Sequence, residues 1–185
     1  MIRVDPARAA LLVVDIQERL WAVMSEEDRA MCARNVGILL ELARRLKIPV
    51  VQSEQYPKGL GPTVKEIADG LAGQDLRRME KVEFSCAAAP SFGPLWEELQ
   101  RDQWIVAGME AHVCVYQTVR DLAERGATVH VPVDAVISRT RENRSVGLDL
   151  ARQVGAVLTS TETVVFDALH RAGSDDFRAL SKLVK

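Results

Sequence analysis

From Trp104 to Arg125 the chain runs through an apolar stretch, Trp104-Ile105-Val106-Ala107-Gly108, into Met109-Glu110-Ala111-His112-Val113-Cys114, and then into an amphipathic helix. A short, continuous apolar run suits a strand covered on both faces, and strands of that kind belong to parallel sheets. Cys114 therefore falls where a buried strand gives way to a helix. The free N–H groups and partial positive charge of a helix N-terminus favour a thiolate over a thiol. This junction predicts a cysteine nucleophile. Two further polar residues sit at comparable strand ends: Asp15 after Leu11-Leu12-Val13-Val14, and Lys81 before Val82-Glu83-Phe84-Ser85.

The rest of the chain alternates between strand and helix patterns. Ala9–Val14 reads as a buried strand, and Ser25-Glu26-Glu27-Asp28 as a capped start to a helix ending near Leu46. Residues 48–52 read as the next strand, followed by a Gly/Pro-rich loop through Pro62. Thr63 reads as the cap of a short helix to Leu71, residues 73–80 as polar and irregular, and residues 81–84 as a short extended piece. Ser91 opens a helix over residues 95–100, and the helix after Cys114 stops at Gly126 in the left-handed cap position. A strand over 129–133, a helix over 141–154 capped by Gly155, a strand over 156–158, a helix from Thr161 to Leu169 and an amphipathic tail over 177–184 complete the pattern. Such alternation predicts a three-layer α/β/α fold with a mainly parallel central sheet, residues 1–185 forming one domain. In these sheets ligands bind at the carboxyl ends of the strands, so Asp15, Glu54 and the Gly108–Cys114 segment can converge.

Composition narrows the function. The 185 residues carry a formal net charge of −2, and no Lys/Arg stripe marks a helix for nucleic acid. The longest apolar runs are strand-sized, so no bilayer span is expected, and the N-terminus shows no apolar targeting region. A cytoplasmic chain without membrane partners is the expectation. Of the three cysteines, Cys32 reads as a core residue, Cys86 as core or pocket lining, and Cys114 as the reactive one; with no CxxC pair, neither zinc nor dithiol chemistry is indicated.

A cysteine at neutral pH needs a base or a depressed pKa to act as a nucleophile. Asp15 can take the proton, and Lys81 can hold Asp15 and add positive charge. His130 lies inside a strand and His170 follows a late helix, which leaves His112 as the only histidine near Cys114. These residues resemble the isochorismatase-like cysteine hydrolases, a family that includes nicotinamidases. The resemblance rests on Leu12-Val13-Val14-Asp15-Ile16-Gln17, on Lys81 followed by Phe84-Ser85, and on Ala107-Gly108 followed by Val113-Cys114-Val115. The loop Ser53-Glu54-Gln55-Tyr56-Pro57-Lys58-Gly59-Leu60-Gly61 and the segment Asp134-Ala135-Val136-Ile137-Ser138-Arg139 are similar to the subgroup of isochorismatase domain-containing proteins.

The resemblance implies a triad of Asp15, Lys81 and Cys114, a cis peptide joining Met109 to Glu110, and an oxyanion hole formed by the N–H groups of Glu110 and Cys114. It implies cleavage of an amide-like C–N bond through a thioester on Cys114. Nicotinamidases hold a metal through Asp-x-His and a further histidine; the matching loop here is Ser53-Glu54-Gln55-Tyr56, so no metal and no cofactor are expected. True isochorismatases cleave a vinyl ether without a cysteine nucleophile, and the presence of Cys114 points away from that reaction. Gln17, Gln55, Tyr56, Phe84 and His112 are the expected substrate contacts, and Glu110 stands where relatives commonly carry a small residue. A small-molecule substrate and a homo-oligomeric assembly complete the expectation. Two alternatives remain on this fold: a non-catalytic binding or assembly protein, and a redox sensor in which Cys86 resolves an oxidised Cys114.

Overall fold

The computed structural model describes residues 2–185. In chain order the elements are β1 (Ala9–Val14), α1 (Glu18–Trp21), α2 (Glu26–Leu46), β2 (Val50–Gln55), α3 (Pro57–Leu60), α4 (Lys65–Leu71), β3 (Leu76–Lys81), α5 (Phe92–Leu99) and β4 (Gln103–Met109). A π-helical turn (Ala111–Val115) leads into α6 (Tyr116–Glu124), β5 (Thr128–Pro132), β6 (Val136–Ile137), α7 (Arg141–Gln153), β7 (Val157–Thr159), α8 (Thr161–Leu169) and α9 (Asp175–Leu180). The seven strands form one sheet in the order β3-β2-β1-β4-β5-β7, with β6 pairing beyond β5 on the end of β4. All the pairings are parallel. The expected three-layer α/β/α architecture is what the chain adopts.

Strand alternation sorts the core into two halves. Leu11, Val13, Ile105, Ala107 and Met109 face one way and pack with Val36, Leu39 and Leu40 of α2 and Val164 and Val165 of α8. Ala10, Leu12, Val14, Trp104 and Val106 face the other way, against Phe92 of α5, Val119 and Leu122 of α6 and Ala151 of α7. Because β1 and β4 are buried on both faces, they read as unbroken apolar runs rather than as alternating ones.

Four expectations need correction. The segment read as irregular over 73–80 contains β3, which occupies the sheet edge. Its charged residues Arg78 and Glu80 point to solvent while Met79 and Lys81 point inward, so no apolar run announces it; a charged edge strand also resists pairing with other chains. Lys81 ends that strand rather than beginning one. Thr63 does not cap α4, where Val64 holds the cap position; its hydroxyl donates to Glu54 Oε1 at 2.6 Å and accepts from Gln52 Nε2 at 2.6 Å. Thr161 is likewise the first residue of α8, and Ser160 provides the cap by accepting from the Thr163 N–H. The remaining element boundaries shift by at most four residues, with β2 running on to Gln55 and α9 shorter than the expected tail.

The chain leaves β1 to one side through β2 and β3 and to the other through β4 and β5, so the topological switch lies between β1 and β4. Register pairs Val14 with both Ser53 and Gly108, and Gln55 with Lys81. The carboxyl ends of β1, β2, β3 and β4 therefore reach the same sheet edge together. Gly108 makes the closest approach possible: with φ +121°, a Cβ there would stand 2.2 Å from the Val14 carbonyl oxygen. Any other residue would separate the two strands at the site.

Candidate active site

Asp15 is the first residue past β1. Its backbone is in the left-handed region at φ 49°, a conformation Asp tolerates better than most residues and one that often marks functional positions. The side chain is fully buried. Lys81, at the end of β3, donates from Nζ to Asp15 Oδ2 at 2.6 Å, and neither side chain of this pair meets solvent. The same ammonium donates to Gln55 Oε1 at 2.7 Å and to the carbonyls of Phe84 at 3.1 Å and Glu83 at 3.3 Å. Burial works against the Lys81 charge, but the anionic forms of its neighbours, Asp15 and the thiols of Cys86 and Cys114 once ionised, outweigh it and hold the ammonium above the ordinary lysine range.

Cys114 lies in the π-helical turn that follows the cis peptide between Met109 and Glu110. Within this turn the N–H groups of Val113 and Val115 both donate to the Glu110 carbonyl. The turn is seated on α7: a Cβ added to Gly147 would stand 2.5 Å from the Ala111 carbonyl group and 2.6 Å from the His112 nitrogen. Burial pushes the Cys114 thiol well above the ordinary range, and the Asp15 carboxylate, by its charge and a side-chain hydrogen bond, pushes it further; Lys81 only partly offsets them. Burial and the carboxylate thus oppose the thiolate that the helix end favours. The two strongest influences on its proton are burial and a carboxylate, and both favour the thiol form.

A second layer holds this group. Ser53 Oγ donates to Asp15 Oδ1 at 2.7 Å and in turn accepts from the Cys86 thiol at 3.3 Å. Burial first, and Asp15 second, push Cys86 up to about 11, so it stays a donor across the physiological range. Its N–H is held by Thr118 Oγ1 of α6 at 2.9 Å. Both Asp15 oxygens therefore have fixed partners on the side away from solvent. The sequence places Ser53 only in the family-like loop, but strand alternation sets it on the same face as Gln55, two residues on.

The expected substrate contacts divide. Gln55 and Phe84 line a cavity of about 330 Å³ together with Cys114. Its other apolar walls are Leu20, Leu60 and Val113, none singled out in the sequence. Gln17 is fully buried behind the site, where its side-chain amide donates to the carbonyls of Gln55 and Gly61 and accepts from the Gln55 N–H. Tyr56 lies at an adjoining shallower depression of about 480 Å³ that also touches Lys81 and Val82. His112 shares a hydrogen bond with Ser138 Oγ through Nδ1 at 3.1 Å. Glu54, expected to converge on the site, instead accepts from Thr63. Among the described residues no group of three or more His, Cys, Asp or Glu side chains is arranged to hold a metal ion.

A parallel sheet that brings an acid, a lysine and a cysteine together at the carboxyl ends of β1, β3 and β4 defines a class, the isochorismatase-like hydrolase fold. Residues 9–163 match the isochorismatase domain, and the chain belongs to that family. Within it the chain is 36% identical to human isochorismatase domain-containing protein 2, over 99% of this chain and 86% of the relative. It is 36% identical to the secreted isochorismatase effector Isc1 of Phytophthora sojae, over 99% of this chain and 87% of that one. Among solved structures, the MAR1 ribonuclease of Caenorhabditis elegans superposes with a TM-score of 0.90 at 36% identity, covering 98% of this chain and 92% of its own. Nicotinamidase PncA of Bacillus subtilis, with a TM-score of 0.69 at 16% identity over 83% of this chain and 99% of its own, shares the fold. No helix among the described residues is long and apolar enough to cross a membrane.

Proposed function

We propose that the protein is a cysteine hydrolase that cleaves an amide-like C–N bond of a small molecule without a resident metal. The observation that carries this reading is the buried Asp15, hydrogen-bonded to Lys81 and close enough to Cys114 to act on its thiol, with Cys114 itself lining a cavity. In the reaction the Cys114 proton passes to Asp15 as sulfur attacks the carbonyl carbon, and the C–S bond forms. The N–H groups of Glu110 and Cys114 take the developing oxyanion. The C–N bond then breaks, and Asp15 returns its proton to the leaving amine. Water adds to the thioester with its proton going to Asp15; the C–S bond breaks, the acid leaves, and sulfur recovers its proton. Lys81 supplies the counter-charge throughout. The residues of the loop that would carry a metal motif have other duties here, Ser53 on Asp15 and Gln55 on Lys81. Residues 1–185 act as one domain in this proposal. The exposed Tyr56, Val82 and Phe84 beside the site support a homo-oligomer, which light-scattering mass tests.

The test measures ammonia release from a panel of primary amides and traps acylated Cys114 with hydroxylamine. Cys114→Ser and Asp15→Asn should each lose turnover by on the order of 10⁴-fold while keeping the far-UV and near-UV circular dichroism of the wild type. Near-wild-type turnover by either variant refutes the mechanism. An RNA substrate, suggested by the name of the nematode relative, belongs in the same panel. Cleavage of RNA that survives Cys114→Ser, with no amide turned over, would replace the hydrolase reading.

A further inference from the structure

Each polar side chain lining the cavity over Cys114 already has a partner. Gln55 accepts from Lys81 through Oε1 and donates to the Val82 carbonyl through Nε2 at 2.9 Å. Glu110 receives the Arg139 N–H at 3.0 Å and its Nε at 3.2 Å on Oε2, and lies 3.1 Å from its terminal nitrogen through Oε1. In this bidentate pair the carboxylate is the buried partner, with 8% of its side chain exposed, and the arginine the open one, with 56% exposed. The other charges at the site are Asp15 and Lys81, paired with each other. The two pairs sum to zero, and neither offers an uncompensated cation. The remaining walls, Leu20, Leu60, Phe84 and Val113, are apolar and partly open, so a ligand would cover them.

We infer that the substrate presents an uncharged, apolar acyl group to Cys114, and that the Glu110–Arg139 pair at the cavity excludes acyl groups bearing a carboxylate. This rests on the hydrolase reading above and adds the substrate class to it. An incoming carboxylate would lose its water without gaining a free cation, and would lie beside the buried Glu110 charge. An aliphatic acyl group gains contact with four apolar walls and requires no polar partner beyond the carbonyl. A cavity of 330 Å³ corresponds to about ten liquid-water volumes of about 30 Å³ each, so the fitting ligand has on the order of ten non-hydrogen atoms. Arg139 becomes a selectivity element by being neutralised: Glu110 converts what would be an anion-binding arginine into a neutral, apolar-tolerant rim.

The experiment compares two isosteric primary amides, 4-methylpentanamide and succinamate, in the ammonia-release assay. The wild type should prefer the neutral amide in kcat/KM by about 100-fold. Glu110→Gln leaves Arg139 uncompensated and should narrow that ratio by about 10-fold or more, chiefly through a lower KM for succinamate. Arg139→Gln, which leaves Glu110 alone, should widen it. Taking the ratio on each enzyme cancels any general loss of catalysis in the Glu110 variant. Succinamate turned over as well as or better than 4-methylpentanamide by the wild type overturns the inference and leaves the hydrolase reading standing. A ratio that moves with neither variant also overturns it. No turnover of either amide, with no hydroxylamine-trappable adduct on Cys114, sinks both readings together.

Discussion

Replacing Lys81 with Met removes the cation facing Asp15 while keeping an unbranched stem of similar bulk. The structure sets the size of the effect. Both side chains are withdrawn from solvent at a separation of 2.6 Å, and the ammonium also serves Gln55, Glu83 and Phe84. Removing one partner of such a pair leaves a buried, uncompensated carboxylate and costs about 3–5 kcal/mol. For a chain of this length about 2–4 °C of melting temperature follows each kcal/mol, so Lys81→Met should melt about 6–20 °C lower. Asp15→Asn combined with Lys81→Met leaves two neutral groups and no stranded charge. The double variant should be no less stable than Lys81→Met alone, a coupling of about 2 kcal/mol or more between two residues in contact. Urea unfolding followed by circular dichroism, with all four proteins in the cycle, measures this directly. A Lys81→Met loss below about 1 kcal/mol, or losses that add, would show that the pair is not the desolvated ion pair described here.

Further outcomes follow from the same geometry. Gly147→Ala places a methyl group against the backbone of the Cys114 turn, so it should destabilise by about 1–3 kcal/mol and lower amide turnover by on the order of 100-fold. Wild-type melting and kinetics in that variant would show that α7 does not seat the turn. Alkylation of Cys114 by iodoacetamide should stay slow through neutral pH and accelerate only above the ordinary thiol value of about 8.5. A folded thiol pKa raised above its unfolded value gives stability that is complete below the unfolded pKa and declines as pH rises through the folded one. Cys114, Cys86 and Lys81 all shift upward, so together they predict loss of stability on the alkaline side. A rapid alkylation plateau at pH 7 would contradict this resting thiol.

The sheet was legible because its two central strands are buried on both faces and appear as apolar runs at Ala9–Val14 and Trp104–Ala107. The positions of Asp15 and Cys114 at strand ends follow from those same runs. β3 was not legible, because an edge strand alternates charged and buried residues too briefly to differ from a polar loop. For the same reason Lys81 appeared to open a strand, when it closes one and points inward beside Asp15. Partners supplied by distant elements were also out of reach. Glu110 reads as an unusual substitution, and only the fold brings Arg139 against it from 29 residues away. Gln17 follows Asp15 so closely that it reads as a substrate contact, yet it joins Gln55 to Gly61 behind the site. Linear order shows which residues end strands; it does not show which neighbouring loop consumes their hydrogen bonds.

That distinction bears on how the cysteine would be activated in the proposed reaction. Reading the strand–helix junction alone, the helix end is the dominant influence and predicts a pre-formed thiolate. In the folded site, losing the Cys114 proton to water would leave two buried anions, sulfur and Asp15, against the single cation of Lys81. Moving that proton to Asp15 instead keeps the net charge at zero and sets the thiolate and Lys81 as the remaining opposite charges. A low-dielectric site strongly favours the second path, since each uncompensated charge carries its full desolvation penalty. The raised thiol is therefore compatible with catalysis: Asp15 ceases to oppose the thiolate at the moment it accepts the proton. Ser53 and Lys81 each hold one carboxylate oxygen of Asp15, which in the proposed reaction would keep the acid–base group fixed while its charge changes. In the proposed reaction the nucleophile and its base exchange one proton within the site, and that chemistry does not require a depressed cysteine pKa in the free protein.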